Sequence, residues 1–262
     1  MTIITLLTDF GSKNGFSGVL KGVIWKIAPD VQIADITHEI TPQNIMEGAI
    51  ALWRAAVFFP DGTIHVAIVD PGVGTSRRSL TARIGNQFFV GPDNGLFTPL
   101  LEQAEQEDQP VTIIHLTNPQ YWLAEVSNTF HGRDIFAPVA AHLAVGVPLE
   151  KMGTPINDPV RLNMPQPVKI PGGWRGQVVL IDIFGNVATN LNENLVKKNT
   201  NVVLKIANRS IRGLVNTYGE RQAGDVVALV DSENFIEVAV VNGNAAQKLG
   251  VTVGEPVELL FL

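Results

Sequence analysis

The chain has 262 residues, 45% of them hydrophobic and 17% charged, with a net charge of −6. That is enough apolar chain for one large domain or two smaller ones, and the acidic balance excludes a nucleic-acid footprint, which needs excess Lys and Arg. The absence of cysteine removes disulfides, thiolate metal sites and cysteine nucleophiles together.

Thr2 to Thr8 is an apolar, β-favouring run that breaks at Asp9-Phe10-Gly11. Phe16, Leu20, Val23, Ile24 and Ile27 then recur at helical spacing until Pro29. Val31 to Ile36 predicts a second strand, Ile45 to Ala56 a second helix, and Thr63 to Val69 a third strand broken by Asp70-Pro71-Gly72. Alternating strands and helices of this kind predict a parallel sheet with covering helices. Ser79 to Ile84 and Gln87 to Val90 suggest a hairpin, Val111 to Leu116 a buried strand, and Ile135 to Val145 a helix with Pro138 in its first turn.

From Met152 to Gly176 the density of Pro and Gly predicts a stiff linker. Beyond it, Gln177 to Asp182, Val202 to Ile206, Val226 to Leu229, Ile236 to Val241 and Val257 to Leu262 read as short strands separated by turns. The expectation is an α/β chain: an N-terminal α/β domain with a mainly parallel sheet over residues 1–165, then a small C-terminal β-barrel domain over residues 166–262. Met1 to Leu7 carries no basic leader. No stretch approaches the roughly 20 apolar residues of a spanning helix. A soluble, cytoplasmic protein with no membrane partner is expected.

In an open α/β sheet, ligands gather outside the carboxyl ends of the strands. Asp9, His38-Glu39 and Asp70 each follow a strand and fall on that edge. Singly, each also suits a turn or a helix cap. In Asp70-Pro71-Gly72-Val73-Gly74-Thr75-Ser76-Arg77-Arg78 the glycines allow close backbone approach or an anion-binding nest. Arg77 can fold back onto Asp70 as a charge-assisted fork; the plainer alternative is a surface turn with solvated arginines. Thr129-Phe130-His131-Gly132-Arg133-Asp134 precedes a helix and suits the positioning of a base. The five histidines show no zinc-protease spacing, although Asp9, Asp70 and His131 could assemble a metal site.

Leu6 to Gly11, Asp35 to His38, Thr41-Pro42, Val69 to Gly74, Gly91 to Gly95, Thr129 to Asp134 and Asp182-Ile183-Phe184-Gly185-Asn186 together resemble the SAM hydroxide adenosyltransferases, relatives of the enzymes that make 5′-halo-adenosines. The resemblance implies hydrolysis of S-adenosyl-L-methionine (SAM) to adenosine and methionine, with no metal and no cofactor beyond the substrate. It also implies a homotrimer whose sites lie between the N-terminal domain of one subunit and the C-terminal domain of the next. By the same resemblance Asp70, Arg77 and His131 activate water, Asp9 grips the ribose hydroxyls and Phe130 walls the reacting carbon. Asp182 holds the methionine ammonium, Ser232 its carboxylate, Asn186 the adenine edge and Tyr218 the adenine face. Gln43 and Glu233 depart from the halogenating relatives, which place Trp and Arg there. Two other classes stay open on the residues alone: a metal-dependent phosphoesterase using the acidic strand ends, and a SAM- or adenosine-binding protein without turnover.

Overall fold

The computed structural model describes residues 2–196 and 201–262. The chain divides into two compact units, Met1–Met164 and Pro165–Leu262.

The first unit runs β1 (Ile3–Thr8), α1 (Phe16–Ile27), β2 (Gln32–Thr37), α2 (Ile45–Ala56), β3 (Ile64–Ile68), β4 (Ser79–Ile84), β5 (Gln87–Pro92), α3 (Thr98–Gln106), β6 (Val111–Leu116), α4 (Ala137–Ala144) and β7 (Gly153–Ile156). Its sheet has the order β2-β1-β3-β5-β4-β6-β7. The β1/β2, β1/β3 and β3/β5 pairings are parallel, whereas β4/β5, β4/β6 and β6/β7 are antiparallel. The sheet is therefore mixed rather than mainly parallel. The cause is the tight β4–β5 hairpin at Gly85-Asn86, where Gly85 takes φ +58°; it reverses the chain and leaves β4 to build an antiparallel half.

β1 is apolar on both faces because both are covered. Ile4 and Leu6 pack with Leu20 and Ile24 of α1 and Val139 and Ala140 of α4. Leu7, Ala67 and Val69 pack on the other side with Ala49 and Leu52 of α2 and Leu100 and Leu101 of α3. Gly91 is required here, since a Cβ would lie 2.3 Å from the Ala67 carbonyl oxygen on β3. These layers align the carboxyl ends of β1, β2 and β3, so that Asp9, His38 and Asp70 leave the sheet side by side.

The second unit is antiparallel, with β8 (Val168–Ile170), β9 (Gly173–Ile181), β10 (Val187–Asn192), β11 (Val202–Ile206), β12 (Arg209–Arg212), β13 (Val226–Val230), β14 (Phe235–Val240), the short α5 (Ala245–Leu249) and β15 (Pro256–Phe261). The order β12-β11-β15-β9-β10-β14-β13 nearly closes into a barrel. Just beyond β12, Val215 bridges to Leu229 on β13 and donates its backbone N–H to Ala228 at 2.9 Å. Val178, Val187, Leu204, Ile236, Val238 and Leu259 fill the interior.

The stretch expected to be a linker from Met152 to Gly176 instead holds β7, β8 and the start of β9. Proline is tolerated in β7 because that strand is a sheet edge with β6 as its neighbour, so one flank needs no donors.

Candidate active site

Asp70 follows β3, and the loop after it returns through Gly72 and Gly74 to bring Arg77 back over it. Arg77 Nε donates to Asp70 Oδ1 at 2.9 Å and to Oδ2 at 3.1 Å, and Nη2 donates to Oδ2 at 2.5 Å. Nη1 donates to Ser79 Oγ at 2.8 Å and to the Arg78 carbonyl at 3.1 Å. The guanidinium carbon lies 5.3 Å from the centre of the Phe136 ring. With side chains only 6% and 10% exposed, the Asp70–Arg77 pair sits in reduced dielectric, where a bidentate fork is strongest. The neighbouring Arg78 turns away, to Asp93 at 2.7 Å and Asp158 at 2.8 Å.

His131 completes the group: its Nδ1 lies 3.0 Å from Arg77 Nη2. A guanidinium can only donate, so Nδ1 accepts and the ring proton of the neutral imidazole sits on Nε2. Burial, then the Arg77 charge, push the His131 pKa below the usual histidine value, against an opposing pull from Asp70. The imidazole is therefore neutral at pH 7.

Gly74 makes this meeting possible. It takes φ +75°, and a Cβ there would lie 2.1 Å from the Asn128 carbonyl oxygen, so the Asp70–Arg77 loop lies directly against the segment that carries His131. That segment enters α4 through a π-helical turn, Gly132–Phe136, a widening that often marks functional positions. Phe130 forms edge-to-face contacts with Phe10 at 5.8 Å and Phe16 at 5.5 Å. Asp9 accepts the Gln43 backbone N–H on Oδ2 at 2.8 Å. Among the described residues, no three His or carboxylate side chains converge in a way that would hold a metal ion.

In the second unit Asp182 organises the loop between β9 and β10. Its Oδ1 accepts the backbone N–H groups of Phe184 at 2.9 Å and Asn186 at 2.8 Å, and its Oδ2 accepts Asn186 Nδ2 at 3.1 Å. Ile183 and Phe184, at the tip, are 94% and 73% exposed. Tyr218 donates its hydroxyl to Glu237 at 2.8 Å. Burial, then that bond and the nearby carboxylates of Glu237, Asp182 and Asp231, push its phenol up to about 12. Ser232 is exposed in the β13–β14 turn, beside Asp231, which accepts the Glu233 and Phe235 amides.

The structure thus gathers Asp70, Arg77 and His131 in one group, with Phe130 adjoining His131 in the chain. In the other unit it joins Asn186 to Asp182 and pairs Tyr218 with Glu237. Sequence reasoning missed Ser79, Phe136, Phe10 and Phe16. Phe16 was read only as the start of the apolar face of the first helix, yet it is 43% exposed.

A family model for the SAM hydroxide adenosyltransferase N-terminal domain matches residues 4–153, and one for the C-terminal domain matches residues 176–258. The chain belongs to the SAM hydroxide adenosyltransferases. Among relatives of this SAM hydroxide adenosyltransferase, the (R)-S-adenosyl-L-methionine hydrolase of Salinispora tropica is 37% identical, covering 96% of this chain and 95% of its own. A protein of the same name from Thermus thermophilus is 37% identical over 99% and 100% of the two chains. A fluorinase from Actinoplanes is more distant, at 29% identity over 90% of each. A crystal structure of a conserved protein from Thermotoga maritima superposes with a TM-score of 0.91 at 37% identity, covering 98% of this chain and 99% of that one.

Proposed function

We propose that the protein hydrolyses S-adenosyl-L-methionine to adenosine and L-methionine, acting on the (R) epimer at sulfur named for its relatives. The observation that carries the reading is the Asp70–Arg77–His131 group at the carboxyl ends of the parallel strands, in a chain matched end to end by hydrolases of that name.

The chemistry asks little of an acid. The sulfonium leaves as a neutral thioether, so its departure needs no proton, and the demand falls on the nucleophile and its alignment. Holding water in line with C5′ can lower the barrier by up to roughly 7–11 kcal/mol, and a positioned base adds about 10²–10⁴-fold. His131, with Nδ1 occupied by Arg77, offers Nε2–H as a donor to a water lone pair. That leaves the Asp70 carboxylate to accept the water proton as the C5′–O bond forms and the C5′–S bond breaks. Arg77 fixes Asp70 and stabilises negative charge that develops on the attacking oxygen.

Phe130, backed by Phe10 and Phe16, walls the reacting carbon, and Asp9 takes the ribose hydroxyls. Asp182 receives the methionine ammonium, Ser232 the carboxylate, Asn186 the adenine edge and Tyr218 its face. These residues lie in different units, and we place each complete site between two copies in a homotrimer. Exposed apolar groups support this on both sides: Phe16 and Val19 in the first unit, Ile183 and Phe184 in the second. Among the described residues no helix is long and apolar enough to cross a membrane, and we place the enzyme in the cytoplasm.

The test is chromatography of purified protein incubated with the (R) and (S) epimers, with and without chelator and added chloride. Adenosine and methionine should form from the (R) epimer in every arm, with no 5′-chloro-adenosine. Loss of activity with chelator would return the phosphoesterase class to consideration, and binding without turnover would leave a sensor.

A further inference from the structure

We propose that Asp134 and Ser127 form a clamp that positions Phe130 and His131 for catalysis; this rests on the hydrolase reading above. Asp134 is fully buried. Its Oδ2 accepts the Ser127 backbone N–H at 2.8 Å and the Ser127 hydroxyl at 2.7 Å, and Arg133 caps both of its oxygens, through Nε at 2.5 Å and Nη2 at 3.1 Å.

Ser127 passes this constraint on to the next residues of the turn. Its Oγ accepts the Phe130 backbone N–H at 3.1 Å, which holds the residue directly before His131. The same Arg133 guanidinium that neutralises Asp134 lies 5.2 Å from the centre of the Phe130 ring. Asp134 also closes the segment through its backbone: its N–H donates to the Phe130 carbonyl and its carbonyl accepts the Leu123 N–H. A buried carboxylate is stable only when fully bonded, so the turn from Ser127 to Asp134 is held in one geometry. Phe130 and His131 are thereby fixed from one side and Arg77 meets His131 from the other. Asp134 and Ser127 touch no reacting atom; they are positioning residues.

The experiment compares Ser127→Ala, which deletes the shared hydroxyl, with Ser127→Thr, which retains it. The readouts are steady-state hydrolysis of SAM and nitrogen-15 NMR of the histidine rings in the ligand-free protein. In Ser127→Ala, kcat should fall about tenfold with KM changed by less than about twofold, the signature of lost alignment rather than lost binding. The His131 resonance should move from a single Nε2–H tautomer toward an averaged one, and Ser127→Thr should restore both. Asp134→Asn, which turns an amide donor toward the Ser127 donors, should give a larger shift; if it fails to fold, the Ser127 pair decides. Wild-type kcat together with an unmoved ring in Ser127→Ala would overturn the clamp. If the wild type itself releases no adenosine, the hydrolase reading fails, and the ring resonance alone still decides whether Ser127 orders His131.

Discussion

Gly74→Ala perturbs the close backbone approach of the Asp70–Arg77 loop to the His131 segment. The added methyl would start 2.1 Å from the Asn128 carbonyl oxygen, and ordinary contact begins near 3.4 Å, so one of the two segments must retreat by about 1.3 Å. The obstacle is backbone rather than a flexible side-chain tip, and Asn128 is bound into the turn that carries Phe130 and His131. A left-handed conformation costs a non-glycine residue about 1–2 kcal/mol, and forced overpacking adds about 1–3 kcal/mol. A displacement near 1 Å in an aligned site lowers turnover by about 100-fold. Gly62→Ala is the control: Gly62 has φ +81° with nothing within 4 Å of a Cβ, so it carries the backbone strain without the clash. Urea unfolding and kcat/KM on both variants separate the effects. Gly62→Ala should lose about 1–2 kcal/mol of stability and keep its activity, whereas Gly74→Ala should lose about 100-fold in kcat/KM. Equal activity in the two variants would refute the argument that this close approach assembles the site.

Arg77→Lys keeps the charge but loses the fork that joins Asp70 and His131; kcat should fall about 10²–10³-fold, and a variant with wild-type kcat would remove Arg77 from the mechanism. Acid should destabilise the fold through His65, which is fully buried, stacked 4.9 Å from Phe89 and bonded through Nδ1 to Thr5 Oγ1 at 2.7 Å. Burial pushes its pKa down to about 4, so between about pH 6.5 and 4 the unfolded chain binds a proton that the folded one refuses. Stability should fall by about 3 kcal/mol as pH drops through that window and His65 should contribute no further loss below it. Urea titrations across that range on wild type and on His65→Gln, which cannot titrate, should show the steeper slope in the former, with the part that His131 and His142 contribute common to both.

How far the fold could be read from the chain depended on what each segment buries. β1 and β3 were legible because both of their faces are apolar and each run stops at an Asp-led break, Asp9-Phe10-Gly11 or Asp70-Pro71-Gly72. α3 was not: Pro99 opens it and Glu102, Gln103, Glu105 and Gln106 dilute the apolar signal of the buried Leu100, Leu101 and Ala104. β10 was hidden for a different reason. Its buried Thr189 is polar yet fully satisfied, donating to the Ile236 carbonyl at 2.7 Å, and Asn190 accepts the Gln177 N–H at 2.8 Å. Polar residues bonded in this way do not alternate as a strand pattern should.

The site divided along similar lines. The strand-end carboxylates could be placed on one edge by the sheet rule alone, without any pairing known. That Arg77 turns inward while Arg78 turns outward could not be read, because adjacent arginines look alike until the Asp93 and Asp158 partners are in place. The Ser127–Asp134 clamp has no period at all. It is a side-chain bond across seven residues that runs into a π-helical turn, and neither leaves a sequence repeat to find.

The central claim is that water itself attacks C5′. Incubation with SAM in ¹⁸O-water, followed by mass spectrometry of the nucleoside, tests it directly. The account predicts adenosine carrying one ¹⁸O at the 5′ oxygen after a single turnover. Unlabelled adenosine from that turnover, or release of methionine without adenosine, would contradict it.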